Sequence, residues 1–259
     1  MKEKALEIKN LNIGYKSKKQ ETVVAHGISF DLIQGELTAI VGVNGIGKST
    51  LLRTIGAVQP KLSGAIVIAG KELSTYSTLH LASKISLVLT EALATKNLSV
   101  IELIALGRQP YTNWLGTLSA QDKEKTKEAI QLVEIEALQH KRCYELSDGQ
   151  LQRVLIARAL AQDTPLMLLD EPTTHLDLYH KVQLLKLLKH IAHKTNKTIL
   201  FTTHEIEVAI QICDKMLIIN KENSVFGQPC ELIKNAHFEN LFPTDMIQFD
   251  ASSGSFKIK

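Results

Sequence analysis

The hydrophobic and polar positions of the chain follow two different periods. The ranges 6–9 and 23–30 alternate apolar with polar residues or carry β-branched runs, as half-buried strands do. Three short, mostly apolar runs are separated by stretches with helical spacing, and they lie at 166–169, 198–201 and 216–219. Short apolar strands that alternate with helices predict an α/β fold with a mostly parallel sheet covered on both faces.

The middle of the chain carries helix signals. Ser99 followed by Glu102 is a capping-box pattern ahead of an apolar run that ends at Gly107, and it predicts a helix in this run. Ser119 is predicted to begin a second helix, charged in its first turns and apolar later. Near the end of the chain, apolar positions on either side of 252–254 predict a β-hairpin.

Composition and charge argue against several classes of protein. A chain of 259 residues with 44% hydrophobic and 22% charged residues is typical of a soluble globular protein with one large or two small domains. A net charge of +3 and only 5% aromatic residues argue against nucleic-acid binding. The three cysteines lack CxxC spacing, which fits a reducing cytoplasm. No stretch approaches the roughly 18 uncharged apolar residues of a membrane helix, so any membrane role is expected from outside the bilayer.

A glycine-rich loop between a predicted strand and a predicted helix is the first chemical motif. Residues 42–49 read GVNGIGKS and match GxxxxGK[ST]. In such a loop the backbone N–H groups cradle phosphates, the lysine neutralises them and the hydroxyl binds Mg²⁺. The predicted ATP-binding residues are Gly42, Val43, Asn44, Gly45, Ile46, Gly47, Lys48, Ser49 and Thr50.

Two further motifs complete the candidate chemistry. The apolar run 166–169 ends in two carboxylates at the sheet edge where α/β proteins bind ligands, so Asp170 is predicted to hold Mg²⁺ and Glu171 to polarise an attacking water. Residues 146–150 read LSDGQ ahead of a helix. Ser147 is predicted to cap that helix, whose N-terminus with a neighbouring glycine is also an anion site.

The order of these motifs, followed by Thr-His-Leu-Asp at 174–177 and Thr-His-Glu at 203–205, resembles the ATP-binding subunits of ABC transporters. The resemblance covers about residues 3–230. The sequence LGRQPY at 106–111 and His175 resemble the subgroup that imports ferric siderophores, haem and cobalamin.

The resemblance implies a fold and a domain plan. The expected fold is that of an ABC ATPase of the P-loop NTPase class, in which a mostly parallel core sheet is joined by an antiparallel β subdomain and an inserted helical subdomain. The ATP-binding domain is expected to span residues 1–235, with the helical insert at about 91–163. Residues 236–259 are expected to form a C-terminal tail that contains the hairpin.

The resemblance also implies a dimeric site. Two copies would pair head to tail, so that each ATP lies between the glycine loop of one copy and the signature residues of the other, which are Ser147, Asp148, Gly149 and Gln150. Asp177 would lie at the dimer seam in the D-loop. His204 would contact the γ-phosphate and act with Glu171 in catalysis, and Tyr15 would stack on adenine.

The same resemblance gives the expected partners and location. The cofactors are ATP and Mg²⁺, and the partners are a second copy of the chain, integral-membrane permease subunits and, indirectly, a substrate-binding protein. No nucleic-acid partner is expected. The chain is expected to lie on the cytoplasmic face of the cell (inner) membrane as a peripheral protein. The outer face of the insert, with Tyr111 and Trp114, is predicted to form a groove for a permease helix; burial in the core of the insert is the alternative.

Two positions depart from the family pattern. Asp148 stands where many relatives have glycine, which leaves the helix cap intact. The glutamine of the family's Q-loop is missing, and alignment with the predicted strand 85–88 leaves Thr90 or Glu91 in its place. We expect Thr90 to serve as the metal-site ligand, because its hydroxyl adds no negative charge near the triphosphate.

Other function classes fit less well. A soluble ABC-type ATPase that acts on DNA or ribosomes would carry a long coiled coil or two cassettes, whereas only 100 residues separate Gly47 from Ser147. An iron–sulfur assembly ATPase of similar length stays open, and only the subgroup motif around Arg108 argues against it. A P-loop kinase would need neither LSDGQ nor Thr-His-Glu.

Overall fold

The computed structural model describes residues 3–17, 20–91, 93, 95–220, 222–239, 241–242 and 245–259. The strands of this part are β1 (Lys4–Lys16), β2 (Glu21–Ile33), β3 (Leu37–Val41), β4 (Ser63–Ile68), β5 (Lys71–Glu72), β6 (Ile85–Val88), β7 (Leu166–Leu169), β8 (Thr198–Thr202), β9 (Lys215–Ile219), β10 (Ser224–Gly227), β11 (Ile247–Asp250) and β12 (Ser255–Ile258). The helices are α1 (Lys48–Ile55), α2 (Thr78–Ala82), α3 (Val100–Ala105), α4 (Ala120–Leu132), α5 (Asp148–Ala161), α6 (Leu178–Thr195), α7 (Ile206–Ile212) and α8 (Pro229–Lys234). Short 3-10 turns lie at Leu73–Thr75, Leu106–Tyr111, Glu136–Leu138 and Cys143–Glu145.

A six-stranded sheet in the order β10-β9-β3-β8-β7-β6 forms the centre of the molecule. The strands from β9 to β6 are parallel, and only β10 runs antiparallel, against β9. In β7, Met167 and Leu169 pack on one face of the sheet while Leu166 and Leu168 pack on the other. Burial on both faces explains why these strands are almost continuously apolar in sequence. The predicted mostly parallel sheet is confirmed.

A second sheet, in the order β2-β1-β4-β5, is antiparallel and covers one face of the first. Its apolar side chains join those of α1 and of the central strands in one core, which includes Leu6, Ile28 and Leu52. This layer brings Tyr15, near the end of β1, next to α1: the Tyr15 hydroxyl lies 3.2 Å from Oγ1 of Thr50.

The segment between β6 and β7 is helical and contains α3, α4 and α5. The α-helix α3 ends at Ala105, and a 3-10 turn then carries the helical backbone through Gly107 to Tyr111. A Cβ atom on Gly107 would lie 2.1 Å from the carbonyl oxygen of Arg158 in α5. The glycine is therefore required by the close approach of the turn to α5.

The C-terminal strands β11 and β12 form an antiparallel hairpin that packs beside α7. Phe249 stacks on Phe238 with ring centroids 5.0 Å apart, and Phe256 makes an edge contact with Phe249 at the same distance. The backbone N–H of Phe256 donates to Oε1 of Glu207 in α7, at 2.8 Å. Among the described residues, no helix is long and apolar enough to cross a membrane.

Candidate nucleotide-binding site

The glycine-rich loop connects the end of β3 to the first turn of α1. Gly42 has φ 155° and Gly47 has φ 108°, in the region that favours glycine. A Cβ atom on Gly42 would also lie 2.4 Å from the carbonyl oxygen of Ile219. These glycines allow the chain to turn sharply into a helix whose first N–H groups have no partner within the helix, as an anion site requires.

Lys48 is the cation of this loop, and its side chain is folded back over it. Its Nζ donates to the carbonyl oxygens of Gly42 at 2.9 Å and Val43 at 3.2 Å. The residue is only 5% exposed, and burial lowers the pKa of its ammonium, although the nearby Glu171 and Asp170 carboxylates oppose that shift. A charge so poorly hydrated is suited to an incoming phosphate.

Asp170 lies beside the loop, directly after β7. Its Oδ1 accepts hydrogen bonds from the hydroxyls of Ser49 at 2.8 Å and Thr202 at 2.7 Å. Its Oδ2 is buried and has no hydrogen-bond partner among the described residues. An unpartnered buried carboxylate oxygen is costly, so this donor set fits a hard divalent cation such as Mg²⁺.

Glu171 is held at both carboxylate oxygens. Oε2 accepts from the Thr174 hydroxyl at 3.2 Å, and Oε1 is hydrogen-bonded to Nε2 of His204. The other ring nitrogen of His204, Nδ1, lies 3.4 Å from Lys48 Nζ. A neutral His204 with its proton on Nε2 satisfies both contacts, because it donates to the carboxylate and accepts from the ammonium.

Lys48, Glu171 and His204 line one cleft of about 370 Å³, and the buried Asp170 adjoins it through its hydrogen bond with Ser49. The cleft is lined by Tyr15, Val24, Asn44, Gly45, Gly47, Lys48, Ser49, Thr50, Glu171 and His204. The Tyr15 side chain stands at its edge and is 57% exposed. The predicted loop, acidic and histidine residues thus lie together although they are separated by up to 189 positions between Tyr15 and His204.

Residues 147–150 of LSDGQ line a different cleft, of about 600 Å³. Ser147 caps α5: its hydroxyl accepts from the N–H of Gln150, and the Gln150 side chain accepts from the Ser147 N–H. Asp148 occupies the first turn without disturbing this cap. The cleft shares no lining residue with the cleft of the glycine loop.

Asp177 lines the signature cleft and caps α6. It accepts from the backbone N–H of His180 at 2.9 Å and from the Nδ1–H of that ring at 2.8 Å. These hydrogen bonds lower the pKa of the Asp177 carboxyl, the backbone bond most of all. The acid is thus held ionised on an exposed edge beside the signature residues.

Neither candidate for the missing glutamine lines the cleft of the glycine loop. Thr90 is exposed and follows β6, whose Val88 pairs with Leu169 of β7. Glu91 is also exposed, and its Oε1 lies 3.4 Å from Nη2 of Arg53 in α1.

The chain matches the ABC transporter family model over residues 25–174. The chain belongs to the ABC transporter family. A curated relative, the achromobactin transport ATP-binding protein of Dickeya dadantii, is 34% identical over 93% of this chain and 88% of its own length. A solved structure described as a metal-chelate type ABC transporter in an inward-facing conformation shares 31% identity, with a TM-score of 0.79 over 93% of this chain and 89% of that one. A dimeric ATP-binding cassette with bound ADP and phosphate shares 27% identity, with a TM-score of 0.72 over 85% of this chain and 97% of that one.

Membership confirms the predicted ABC ATPase fold and the prediction that the chain is an ATP-hydrolysing enzyme. The family's cassettes bind nucleotide and occur as dimers. The structure gives a role to two residues to which the sequence analysis assigned none, Thr174 of the Thr-His-Leu-Asp motif and Thr202. Both threonines bind the acidic pair through their hydroxyls. The only sequence signal for Thr202 is its position at the end of an apolar strand, beside Thr-His-Glu.

Proposed function

We propose that the chain is the ATP-hydrolysing subunit of an importer that takes up an iron chelate (siderophore), haem or cobalamin through a membrane permease. The names of the curated relatives support the cargo class, since they include achromobactin transport and iron(3+)-hydroxamate import. A soluble role such as iron–sulfur assembly is not favoured by any of these names. The chain would act as a peripheral protein on the cytoplasmic side of the cell membrane.

The observation that carries the mechanism is the separation of the two clefts. Within one chain the glycine loop and the signature residues line separate clefts, so the signature residues would have to reach a bound triphosphate from a second copy. A head-to-tail dimer brings Ser147 and Gly149 of one copy over the loop of the other. The free N–H groups at the N-terminus of α5 then face the γ-phosphate, and Asp177 lies at the seam between the copies.

The chemical groups in and beside the loop cleft would divide the tasks of hydrolysis. The amides of the loop and Lys48 bind the phosphates, Tyr15 stacks on the adenine, and Glu171 accepts a proton from the attacking water. His204 holds Glu171 in position and reaches the γ-phosphate. Ser49 and Asp170 would hold Mg²⁺, which supplies neutralisation of the phosphate charge when bound.

Binding and hydrolysis of ATP would then drive transport by shifting the population between the open and the closed dimer. ATP between two copies favours the closed dimer, and loss of the γ-phosphate removes the contacts that favour closure. The permease subunits would follow the motion of the inserts. On the insert Trp114 is 92% exposed and Leu115 is 67% exposed, which supports a docking surface there over burial in the core of the insert.

The decisive test is Glu171→Gln, which preserves the shape of the side chain and removes its basicity. The variant is expected to bind ATP, to accumulate as a dimer in size-exclusion chromatography and to hydrolyse ATP about 10² times more slowly or worse. Glu128→Gln on the exposed face of α4 is the matched control. Near-normal hydrolysis by Glu171→Gln would show that another group is the base.

The importer assignment is tested in cells that lack the chain. Uptake of a labelled ferric siderophore, haem or cobalamin is expected to fail for one of these cargoes and to return with the wild-type chain but not with Glu171→Gln. Cysteines at 114 and 115 are expected to crosslink to the co-expressed permease, while a cysteine at position 194, at the end of α6, is the control. Unchanged uptake of all three cargoes would reject the cargo class.

A further inference from the structure

The hydroxyl of Thr202 makes contact with both acids of the site. Thr202 is the last residue of β8 and is fully buried. Its Oγ1 accepts a hydrogen bond from the backbone N–H of Glu171 at 2.8 Å and donates one to Oδ1 of Asp170 at 2.7 Å. One side-chain atom therefore fixes a backbone group and a carboxylate that are adjacent in the chain.

The contact with Asp170 decides how that carboxylate is used. Two hydroxyl donors, from Ser49 and Thr202, both bind Oδ1, and this fixes the rotation of the carboxylate. The second oxygen, Oδ2, is left without a donor in the part of the chain that the structure describes. Because a buried carboxylate oxygen is strongly disfavoured without a partner, this asymmetry reserves Oδ2 for a cation or its bound water.

The contact with Glu171 decides how the chain leaves β7. Glu171 has φ 47°, in the left-handed region that residues other than glycine rarely adopt. This backbone geometry turns the side chain toward His204 and Thr174, which bind its two oxygens. The hydrogen bond from the Glu171 N–H to Thr202 stabilises the turn at the residue where it occurs.

An ordinary packing role would not produce this pattern. Thr198, on the same strand and equally buried, points its hydroxyl at the carbonyl oxygen of Ile33 at 3.5 Å. Thr38, on the neighbouring strand β3, is also fully buried, and its hydroxyl has no hydrogen-bond partner among the described residues. Thr202 differs from both because its two partners belong to the acidic pair.

We propose that Thr202 is a positioning residue that orients the Asp170 carboxylate for the divalent cation and holds the Glu171 backbone in its turn. The inference rests on the proposed function, in which Asp170 holds Mg²⁺ and Glu171 is the base. Thr202 does not touch the nucleotide in this scheme. Its loss is therefore expected to change the metal dependence of the protein more than its affinity for nucleotide alone.

The test compares Thr202→Val with Thr202→Ser. Valine has nearly the shape of threonine but no hydroxyl, whereas serine keeps the hydroxyl. Thr38→Val is the matched control, since it removes a buried hydroxyl for which the described part of the chain offers no hydrogen-bond partner. The readouts are Mn²⁺ binding followed by electron paramagnetic resonance in the presence of a non-hydrolysable ATP analogue, binding of the same analogue without metal, and the Mg²⁺ concentration that gives half-maximal hydrolysis.

Thr202→Val is expected to weaken Mn²⁺ binding about tenfold or more, in line with loss of a hydrogen bond to a charged group, and to raise the Mg²⁺ requirement by a similar factor. Metal-free binding of the analogue is expected to stay within about twofold. Thr202→Ser is expected to restore most of the Mn²⁺ affinity, and Thr38→Val to leave it unchanged.

Equal Mn²⁺ affinity in Thr202→Val and the wild type would overturn the inference, and so would equal losses in Thr38→Val and Thr202→Val. If the valine variant does not fold, Thr202→Ala replaces it, because alanine also lacks a hydrogen-bonding group, and full Mn²⁺ affinity in the alanine variant would have the same meaning. The outcomes separate the two proposals. If the wild type shows no metal-dependent nucleotide binding, the proposed function itself is rejected. If the wild type and Thr202→Val bind Mn²⁺ with equal affinity, only the role of Thr202 is rejected.

Discussion

Breaking the buried ion pair of Arg108 and Asp122 is expected to destabilise the helical insert. Arg108 is 4% exposed and Asp122 is 3% exposed. Arg108 donates from Nε to Oδ1 of Asp122 at 2.9 Å and from Nη1 to the carbonyl oxygen of Ala161 at 2.7 Å. The Asp122 carboxylate also accepts from the N–H and the hydroxyl of Ser119. The pair thus joins the 3-10 turn, the start of α4 and the end of α5, the helix that Ser147 caps.

The size of the effect follows from what each substitution leaves behind. Arg108→Met leaves the Asp122 charge buried without its cation and the Ala161 carbonyl without that donor. Loss of one partner of a buried pair costs about 3–5 kcal/mol. At roughly 2–4 °C per kcal/mol for a protein of this size, the melting temperature should fall by about 6–20 °C. The double variant Arg108→Met/Asp122→Leu removes both charges and should recover part of that loss. About 1 kcal/mol for the lost helix cap and about 1–3 kcal/mol for the Ala161 carbonyl, which still lacks its donor, would remain.

Thermal unfolding followed by circular dichroism measures these differences in the single and double variants. Arg142→Met is the control, because Arg142 and its partner Glu102 are both about half exposed and such surface pairs contribute only about 0–1 kcal/mol. A loss below 1 kcal/mol in Arg108→Met, or a double variant whose loss equals the sum of the two single losses, would refute the reasoning.

Three other changes have defined outcomes. Gly107→Ala should lower stability by roughly 1–3 kcal/mol, since its Cβ meets the Arg158 carbonyl; unchanged urea unfolding would contradict this. Burial lowers the pKa of Lys48, and the phosphates of bound ATP should raise it again. At pH values between the pKa of Lys48 in the free protein and its pKa in the ATP complex, ATP binding should take up protons, and the affinity for ATP should fall as the pH rises through this interval. Calorimetry in two alkaline buffers of different ionisation enthalpy tests this, and identical heats would argue against it. Deletion of residues 246–259 should lower the melting temperature, because it removes Phe249 and Phe256 from the aromatic cluster beside α7. An unchanged melting temperature would show that the hairpin does not stabilise the core.

The sequence predicts the features that depend on neighbours in the chain. The apolar run of β7 identifies a strand buried on both faces, and the glycines of the loop identify a turn into a helix. Ser147 and Ser119 are followed three residues later by a side chain that completes a capping box, so both helix starts are visible in sequence. Each of these signals is local, because it depends on backbone geometry or on burial within a few residues.

The features that the sequence does not reveal are contacts between distant residues. Thr202 reaches Asp170 across 32 positions, and Arg108 reaches the Ala161 carbonyl across 53. A threonine at the end of an apolar strand predicts only a buried strand end, since its hydroxyl has many possible partners. Gly107 is a similar case: in the sequence it is only the glycine at the end of an apolar run, and only the packing against α5 shows what its missing side chain permits.

The last prediction concerns the two candidates for the missing Q-loop glutamine. The N–H of Asp170 donates to the Val88 carbonyl oxygen at 2.8 Å, so Thr90, two residues further along, leaves the sheet beside the acidic pair. Glu91 instead pairs with Arg53 on α1. We therefore expect Thr90→Ala to raise the Mg²⁺ concentration for half-maximal hydrolysis by up to about tenfold, which corresponds to one neutral hydrogen bond of 0.5–1.5 kcal/mol, while ATP binding by Lys48 and the loop amides persists. Glu91→Ala should change this concentration little, because its carboxylate is 71% exposed and already paired. A normal Mg²⁺ requirement in Thr90→Ala together with a raised one in Glu91→Ala would assign the role to Glu91, and the Arg53 pair would then have to open when ATP binds.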